Sequence, residues 1–461
     1  PLAPRAVEAV RVEFSSGWGD SESGEARKVS LKKVEKDNQG SETVIDKGDV
    51  EQEFSNTENR VLESFYEYPF VAHFCMEPMN CTADYREGSS GEKDSLELWL
   101  PHQMATRAVP TLEEMFGLNS DRITINPVRL GGSFGRRIYT EYACEAVAIS
   151  KQIGKPVKLT WTREDDVRHD FYRVGGFQSL KGAVDKNGKL VAFQNHFIGM
   201  NYNNRPVSGS RFSANEFPLL NIENARVSKT MFDIKTPCGP WRAPGANTTA
   251  FVIQSFLDEL AHTSGRDYLD FLLEIMGESR WFDPENVRSL NTGRARGVIQ
   301  LAAEKAGWGK TLPKGKGLGL AFHFSHAGHI AEVAEVEVDQ QKRVRVHKVV
   351  VAVDVGPIIN MSGAVSQVQG SVIDGLSTMA GQKITMESGR IEQSNLHDYP
   401  VLRLPQAPLV EAHFIQSEYR PTGLGEPALP PCAPAIANAI FAAIGERVRK
   451  MPIIEEGFTV V

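Results

Sequence analysis

Cysteine is scarce here: five among 461 residues, at 75, 81, 144, 238 and 432, with no Cys-x-x-Cys spacing. An iron–sulfur cluster needs four organised thiolates, and a zinc site needs Cys or His at short spacings, so this chain is expected to hold neither alone. The odd count argues against a full disulfide framework and leaves buried or half-buried free thiols as the expectation. Long apolar runs are missing too. Ala433 to Ile444 is among the longest, and it falls well short of the roughly 20 residues a membrane helix requires. Pro1 to Val10 has neither the basic nor the apolar stretch of a signal peptide. No long basic run occurs, and 51 Lys and Arg against 58 Asp and Glu give a net charge of −7. Nucleic acid is therefore not an expected partner. Internal repeats of short period are absent.

What is present is ordinary globular material, 41% hydrophobic and 24% charged, long enough for two to four cored domains at about 100–200 residues each. Residues 1–60 are polar; Arg5 to Phe14 has the pattern of a helix running into a strand, and Ser15 to Asn59 reads as loop. Helical spacing follows at Thr106–Phe116, Glu141–Gln152, Thr248–Thr263, Asp267–Met276, Arg294–Ala306, Val365–Ala380 and Pro434–Ile444. Strands are predicted at Ile123–Leu130, Val157–Trp161, Lys189–Met200, Ile330–Val338 and Val344–Val353. These alternate without a βαβ cadence, so the class is α+β rather than a doubly wound sheet. Punctuation by Asp283-Pro284 and Asn291-Thr292-Gly293 divides the chain into segments 1–60, 61–280 and 281–461.

Four stretches carry chemistry. Gly131-Gly132-Ser133-Phe134-Gly135-Arg136-Arg137 lies between a predicted strand and helix. Its glycines let backbone N–H groups approach an anion, and the two arginines offer further donors. Alone it reads equally well as a tight turn with solvent-facing arginines, and its spacing is that of neither a Walker nor a Rossmann loop. Pro237 to Asn247 packs three prolines and two glycines around Trp241, Arg242 and Ala243, a rigid path able to line a pocket. Gly423-Leu424-Gly425-Glu426-Pro427 braces a carboxylate as a general base should be braced, although most single loop glutamates are only solvated. Gln367 opens the helix at 365–380 with an amide that can donate and accept at once. His323, His326 and His329 recur every three residues, which fits neither a strand face nor a zinc helix, and they are read as loop and surface histidines.

The order of these motifs decides what none decides alone. His73-Phe74-Cys75-Met76-Glu77-Pro78-Met79-Asn80, Trp99 to Gln103, the Gly131 loop, Trp241-Arg242, Ala331 to Val338, Val351 to Asn360, Gln367 to Gly375 and Gly425-Glu426-Pro427 follow one another. That series resembles the molybdenum-binding large subunit of the xanthine oxidase (molybdenum hydroxylase) family, most closely the isoquinoline 1-oxidoreductase beta and bacterial aldehyde dehydrogenase branch. The resemblance covers about residues 60 to 455. It implies a multi-domain α+β molybdopterin-binding fold, with 61–280 and 281–461 as its two cofactor-binding domains and 1–60 as the end of a preceding one. It implies a molybdopterin cytosine dinucleotide whose molybdenum is held by the pterin dithiolene, and Glu426 as the catalytic base that deprotonates the metal's hydroxide. Water is then the oxygen source, an aldehyde or aromatic N-heterocycle the substrate, and electrons leave to a small [2Fe–2S] subunit. Gln103, Gly132, Ser133, Phe134, Gly135, Arg136, Trp241, Arg242, Ala243 and Gln367 match cofactor-contacting positions. Purine-oxidising relatives carry Gly-Lys-Glu directly after the Gly-Phe-Gly; Arg136-Arg137-Ile138 stand there instead, so xanthine is not the expected substrate.

One further signature of that family, Glu-Met-Gly-Gln-Gly, is not found, which implies a downstream part completed by another chain carrying it. Whether that comes of gene splitting, cleavage or truncation is open. The alternative is a non-catalytic scaffold that keeps the fold. Cytochrome c partners and a periplasmic or membrane-associated setting are further implications of the branch, a cytoplasmic one remaining open.

Overall fold

Strands form where β-branched and aromatic residues alternate, but which strands pair is a long-range matter. The computed structural model describes residues 41–89, 93–286 and 288–461, so the helix and strand expected over 5–14 lie outside the described residues. The first elements are strand β1 (Glu42–Lys47) and helix α1 (Val50–Ser55), the latter capped by Asp49. Both fall in the stretch 15–59 read as loop, and both correct that reading. β1 is a polar edge strand, ordered by antiparallel pairing with Asn224–Asp233, a partner no local pattern reveals.

β2 (Arg60–Tyr68) follows, and then a self-contained unit: β3 (Asn80–Arg86), β4 (Ser95–Leu100), α2 (Ala108–Phe116), β5 (Ile123–Pro127), α3 (Glu141–Ile153) and β6 (Val157–Thr160). Its strands run in the order β5-β4-β3-β6, and Leu96, Leu98, Leu112, Ala143 and Val147 fill its core. α3 stops at Gly154, whose φ of +63° is the left-handed cap that ends a helix. The short helix α4 (Arg163–Arg168) leads into a second sheet of β7 (Gly176–Val184), β8 (Leu190–Tyr202), β9 (Arg205–Pro206) and β10 (Asn224–Asp233). Their order, with the first two strands, is β1-β10-β8-β7-β2.

Helices α5 (Ala246–Ser264), α6 (Tyr268–Met276) and α7 (Thr292–Ala306) come next. The third sheet is built from β11 (Lys316–Ser325), β12 (Gly328–Val338) and β13 (Arg343–Asp354). After α8 (Met361–Ala380) and the small hairpin β14 (Met386–Glu387) and β15 (Arg390–Ile391), β16 (Leu409–Phe414) pairs in parallel with β13. The last helix is α9 (Cys432–Ile444), and β17 (Thr459–Val460) closes on β13. Val349, Val350, Val351 and Val353 are buried at the centre of this sheet, each contributing about 1.5 kcal/mol or more of apolar burial.

The seating of α9 matters for the site. On β11, a Cβ at Gly319 would lie 2.2 Å from the Ala435 carbonyl oxygen and the Ala439 nitrogen. Helix and strand can approach this closely only because the strand offers glycine and the helix alanine. The turn that enters α9, carrying Glu426, is thereby fixed to the third sheet. The largest core joins the second and third sheets through α5, α7 and α9, with Phe251, Phe256, Val298, Phe322 and Ile436 all buried in it. Cys75, Cys81, Cys144 and Cys432 are buried thiols; burial pushes Cys81 up to about 12 and Cys144 up to about 11.

Candidate functional site

The glycine loop is held from behind by charge and from the side by backbone. Gly132, Phe134 and Gly135 have φ of 102°, 57° and 112°, a left-handed run that glycine permits and Phe134 tolerates only under constraint. The constraint is visible. A side chain at Gly131 would strike Glu77, and one at Gly135 would sit 1.6 Å from the Pro240 carbonyl oxygen. The Glu77 carboxylate accepts from the Gly131 amide at 2.8 Å and from Arg137 at 2.9 Å. Gln103 Oε1 accepts from the Ser133 hydroxyl and from the Gly135 amide.

The two arginines do not serve as the anion donors that the sequence suggested. Arg136 is 1% exposed and paired with Asp170 and Glu141; Arg137 is fully buried and spent on Glu77, Pro78 and the Gly132 carbonyl. A buried guanidinium must be paired, and Glu141 at the start of α3, Asp170 after α4 and Glu77 before β3 supply the pairs. Asp170 also faces His73 Nδ1 at 2.9 Å, and His73 Nε2 faces the Pro240 carbonyl at 2.9 Å. Burial raises the Asp170 carboxyl, but His73 and Arg136 outweigh it and hold it below the ordinary value. A charge-supported chain thus runs from Arg136 through Asp170 and His73 to the proline-rich loop.

That loop carries the residue that joins everything. The Arg242 amide donates to the Phe134 carbonyl at 2.9 Å. Its buried guanidinium donates to the Gly425 carbonyl at 2.7 Å, the Asp374 carboxylate at 2.7 Å, and the Gln367 carbonyl and side chain at 3.0 and 3.1 Å. One side chain therefore pins the α8 helix and the Glu426 turn to the loop it sits on. Gly370 lies against it: a Cβ there would meet Arg242 Nη1 at 3.5 Å, an ordinary contact. Trp241 is buried, with Arg173 5.8 Å over its ring. Ala243, at a φ of 57°, donates its amide to Glu426 Oε1 at 3.0 Å.

Glu426 is 40% exposed, and its Oε2 lies 3.3 Å from His326 Nε2. The histidines correct the surface-loop reading. His323 and His329 are buried on β11 and β12, and only His326 stands at the turn between them. Spacing by three crosses a two-residue hairpin, which neither strand nor helix periodicity describes. Among the described residues no group of three His, Cys, Asp or Glu could hold a metal ion. Burial, and then His326, lowers His323 to about 3, and burial raises its neighbour Glu216, 3.8 Å away, to about 8.

Stability should follow those two groups with opposite signs. Below about pH 4.5 Glu216 is neutral in both states; from there to about 8 only the unfolded chain ionises it, so stability falls as pH rises. His323 acts the other way, costing stability as pH falls below about 6.5. We expect Glu216→Gln to raise the melting temperature at pH 8 relative to the unsubstituted protein, with little change at pH 5. The linkage is worth up to about 5 kcal/mol. Melting curves at the two pH values check this, and a parallel pH dependence in both proteins would refute it.

Gln103, Gly132, Ser133, Phe134, Gly135, Trp241, Arg242, Ala243, Gln367 and Glu426 are thus brought to one place, with Phe134, Gln103 and Gln367 exposed there. Arg136 is not; it lies beneath the loop. Sequence reasoning assigned no role to His73, Glu77, Asp170, Asp374 or His326. The Glu77 and His73 motif carried the resemblance without its reason, and Asp374, one turn after Gly370, left no local signal.

Residues 33–274 match the family described as the molybdopterin cofactor-binding domain, and residues 286–408 match a second molybdopterin cofactor-binding domain. A protein of Gluconacetobacter polyoxogenes named membrane-bound aldehyde dehydrogenase (pyrroloquinoline-quinone) is 28% identical over 98% of this chain and 60% of its own length. A nicotinate dehydrogenase subunit of Pseudomonas putida is 26% identical over 90% of this chain and 36% of its own. The beta subunit of isoquinoline 1-oxidoreductase from Brevundimonas diminuta is 28% identical, over 78% and 46%. The chain therefore spans between about a third and three fifths of the length of these relatives. Among solved structures, quinoline 2-oxidoreductase from Pseudomonas putida 86 superposes with a TM-score of 0.76 at 13% identity, covering 90% of this chain and 77% of that one. Aldehyde oxidoreductase from Desulfovibrio gigas gives 0.69 at 14% identity, over 89% and 62%. At such identities these two speak for the fold.

Proposed function

Since this chain belongs to the molybdopterin cofactor-binding domain family, within the xanthine oxidase group, we propose that it is the molybdenum-cofactor subunit of a hydroxylase acting on an aldehyde or aromatic N-heterocycle. The observation that carries this reading is Arg242. It gathers the glycine loop, the proline-rich loop, Gln367 and the Glu426 turn around one exposed polar face. The division near residue 280 belongs to the proposal, since the glycine loop and Trp241-Arg242 precede it while Gln367 and Glu426 follow.

The donor set suits an organic cofactor. Gln103 and Gln367 present amides, Gly132 to Gly135 bring backbone groups close to the surface, and the exposed Phe134 ring offers a flat apolar wall. When bound, the molybdopterin, proposed as its cytosine dinucleotide, supplies the two-electron redox chemistry. The chain's own part is placement and proton transfer. Ala243 N–H holds Glu426 Oε1, which aims Oε2 as the atom that takes a proton from the oxygen nucleophile derived from water. Electrons are proposed to leave to a [2Fe–2S] subunit, with cytochrome c and a chain completing the cofactor site as further partners. A periplasmic or membrane-associated setting through those partners completes the proposal, and two of the relatives bear names of subunits.

The test is elemental analysis of the protein with its co-purifying chains, together with the nucleotide released by acid. About one molybdenum and one CMP per complex is the expected result. A complex that retains all its chains and holds no molybdenum would instead establish a scaffold.

A further inference from the structure

Among the described residues, three two-residue hairpins close with both central residues left-handed; the one between β14 and β15 does so through Ser388 and Gly389, with φ of 48° and 74°. Between β8 and β9, Tyr202 pairs with Arg205 across Asn203 and Asn204, with φ of 49° and 58°. Between β11 and β12, Ser325 pairs with Gly328 across His326 and Ala327, with φ of 52° and 62°. A two-residue hairpin with both central residues left-handed wants Asn or Gly. The Asn203-Asn204 turn obeys, and Gly389 suits the turn it shares with Ser388; the third turn has neither Asn nor Gly, with His tolerated there and Ala disfavoured. Strain kept by a fold points to function when something specific is gained from it. Here the gain is an imidazole 3.3 Å from Glu426. The tip is also locked, since a Cβ at Gly328 would touch Pro427 at 3.0 Å.

We propose that His326 is a positioning residue for Glu426 and the group to which Glu426 hands the proton it collects in each turnover, a role that rests on Glu426 acting as the base. The proton leaves Glu426 Oε2 for His326 Nε2, and the imidazolium, 37% exposed, returns a proton to water. No electron moves, and Glu426 is left ionised for the next cycle. The titratable groups facing His326 are Glu426 and, from its own hairpin, His323, with Glu216 behind the latter. His323 stays neutral at ordinary pH and Glu216 is raised to about 8. Neither competes for the proton or supplies a second carboxylate charge near neutrality.

His326→Asn separates this role from a structural one, because Asn suits the turn better than His does. With the complex as isolated and benzaldehyde or isoquinoline as probe, the variant should melt no lower than the unsubstituted protein. Its kcat should fall at least about 10-fold with KM within about twofold. The acid limb of its pH–rate profile should change, a readout that a purely structural role would not move. Unchanged kcat and an unchanged acid limb would overturn the proposal. A second measurement does not depend on turnover. In the complex labelled with 15N-histidine, the resonance missing from His326→Asn identifies this imidazole. Its titration midpoint should differ in Glu426→Gln; an unmoved midpoint overturns the pairing even if Glu426→Gln is inactive. A moved midpoint with full turnover in Glu426→Gln removes the base reading instead, and the relay with it.

Discussion

Glu426→Gln is expected to lower turnover of an aldehyde or N-heterocycle probe at least about 10²-fold, the usual cost of removing a general base, while the protein melts as before. The two halves of that result come from the same geometry. Gln keeps an oxygen that can accept the Ala243 amide now bonded at 3.0 Å to Oε1, so the turn before α9 loses little. The other oxygen, 3.3 Å from His326, becomes an amide NH₂ that can take no proton. Molybdenum content of the variant should match that of the unsubstituted complex, so the loss is read in kcat. Turnover near that of the unsubstituted protein at full molybdenum content would sink the assignment of Glu426.

Arg242→Ala is expected to do the opposite, damaging the scaffold first. It removes the donors to the Gly425 carbonyl, the Asp374 carboxylate and Gln367 together. Burial raises the Asp374 carboxyl, and Arg242 is the cation that opposes the rise. Without it a half-buried carboxylate, 28% exposed, loses its cation, at a cost below the roughly 3–5 kcal/mol of a fully buried pair. The urea midpoint should fall accordingly, and molybdenum content should collapse because Gln367 and the Glu426 turn lose their common tether. Arg242→Ala combined with Asp374→Asn should regain part of the stability and none of the molybdenum, since the stranded charge is gone but the tether is not restored. Arg242→Lys should resemble Ala more than Arg: an ammonium cannot span three acceptor directions in one plane. A variant at Arg242 that keeps both its urea midpoint and its molybdenum would count against the hub.

Much of the site was legible because its parts are local. A run of glycines reads as a tight turn or an anion-approaching loop, and Gly132, Phe134 and Gly135 take left-handed φ there. Helix ends are legible for the same reason: Gly154, Gly265 and Gly445 all cap their helices in the left-handed region. The turn at Gly425-Glu426-Pro427 leads into α9 as its spacing suggested. Other elements were hidden because their cause is distant. β1 looks like loop until β10 is beside it. Arg136 and Arg137 look like anion donors until Asp170, Glu141 and Glu77 surround them.

The residues themselves determined the kind of chemistry available: a braced carboxylate, amide side chains, a glycine loop, and an order of motifs that resembles one family. Composition and spacing set the expectations, with five cysteines in no Cys-x-x-Cys spacing and no long basic run. Only the tertiary structure decided which cation serves the site. Of Arg136, Arg137 and Arg242, the first two were consumed by buried carboxylates and carbonyls beneath the loop, and the third became the tether. It also decided that His326 meets Glu426, a contact made across 100 residues by the closure of β11 on β12 and the seating of α9 on β11. The physical reason is the same in both cases. A side chain's type is local, but its partner depends on which charges burial brings together, and burial is settled by the whole fold.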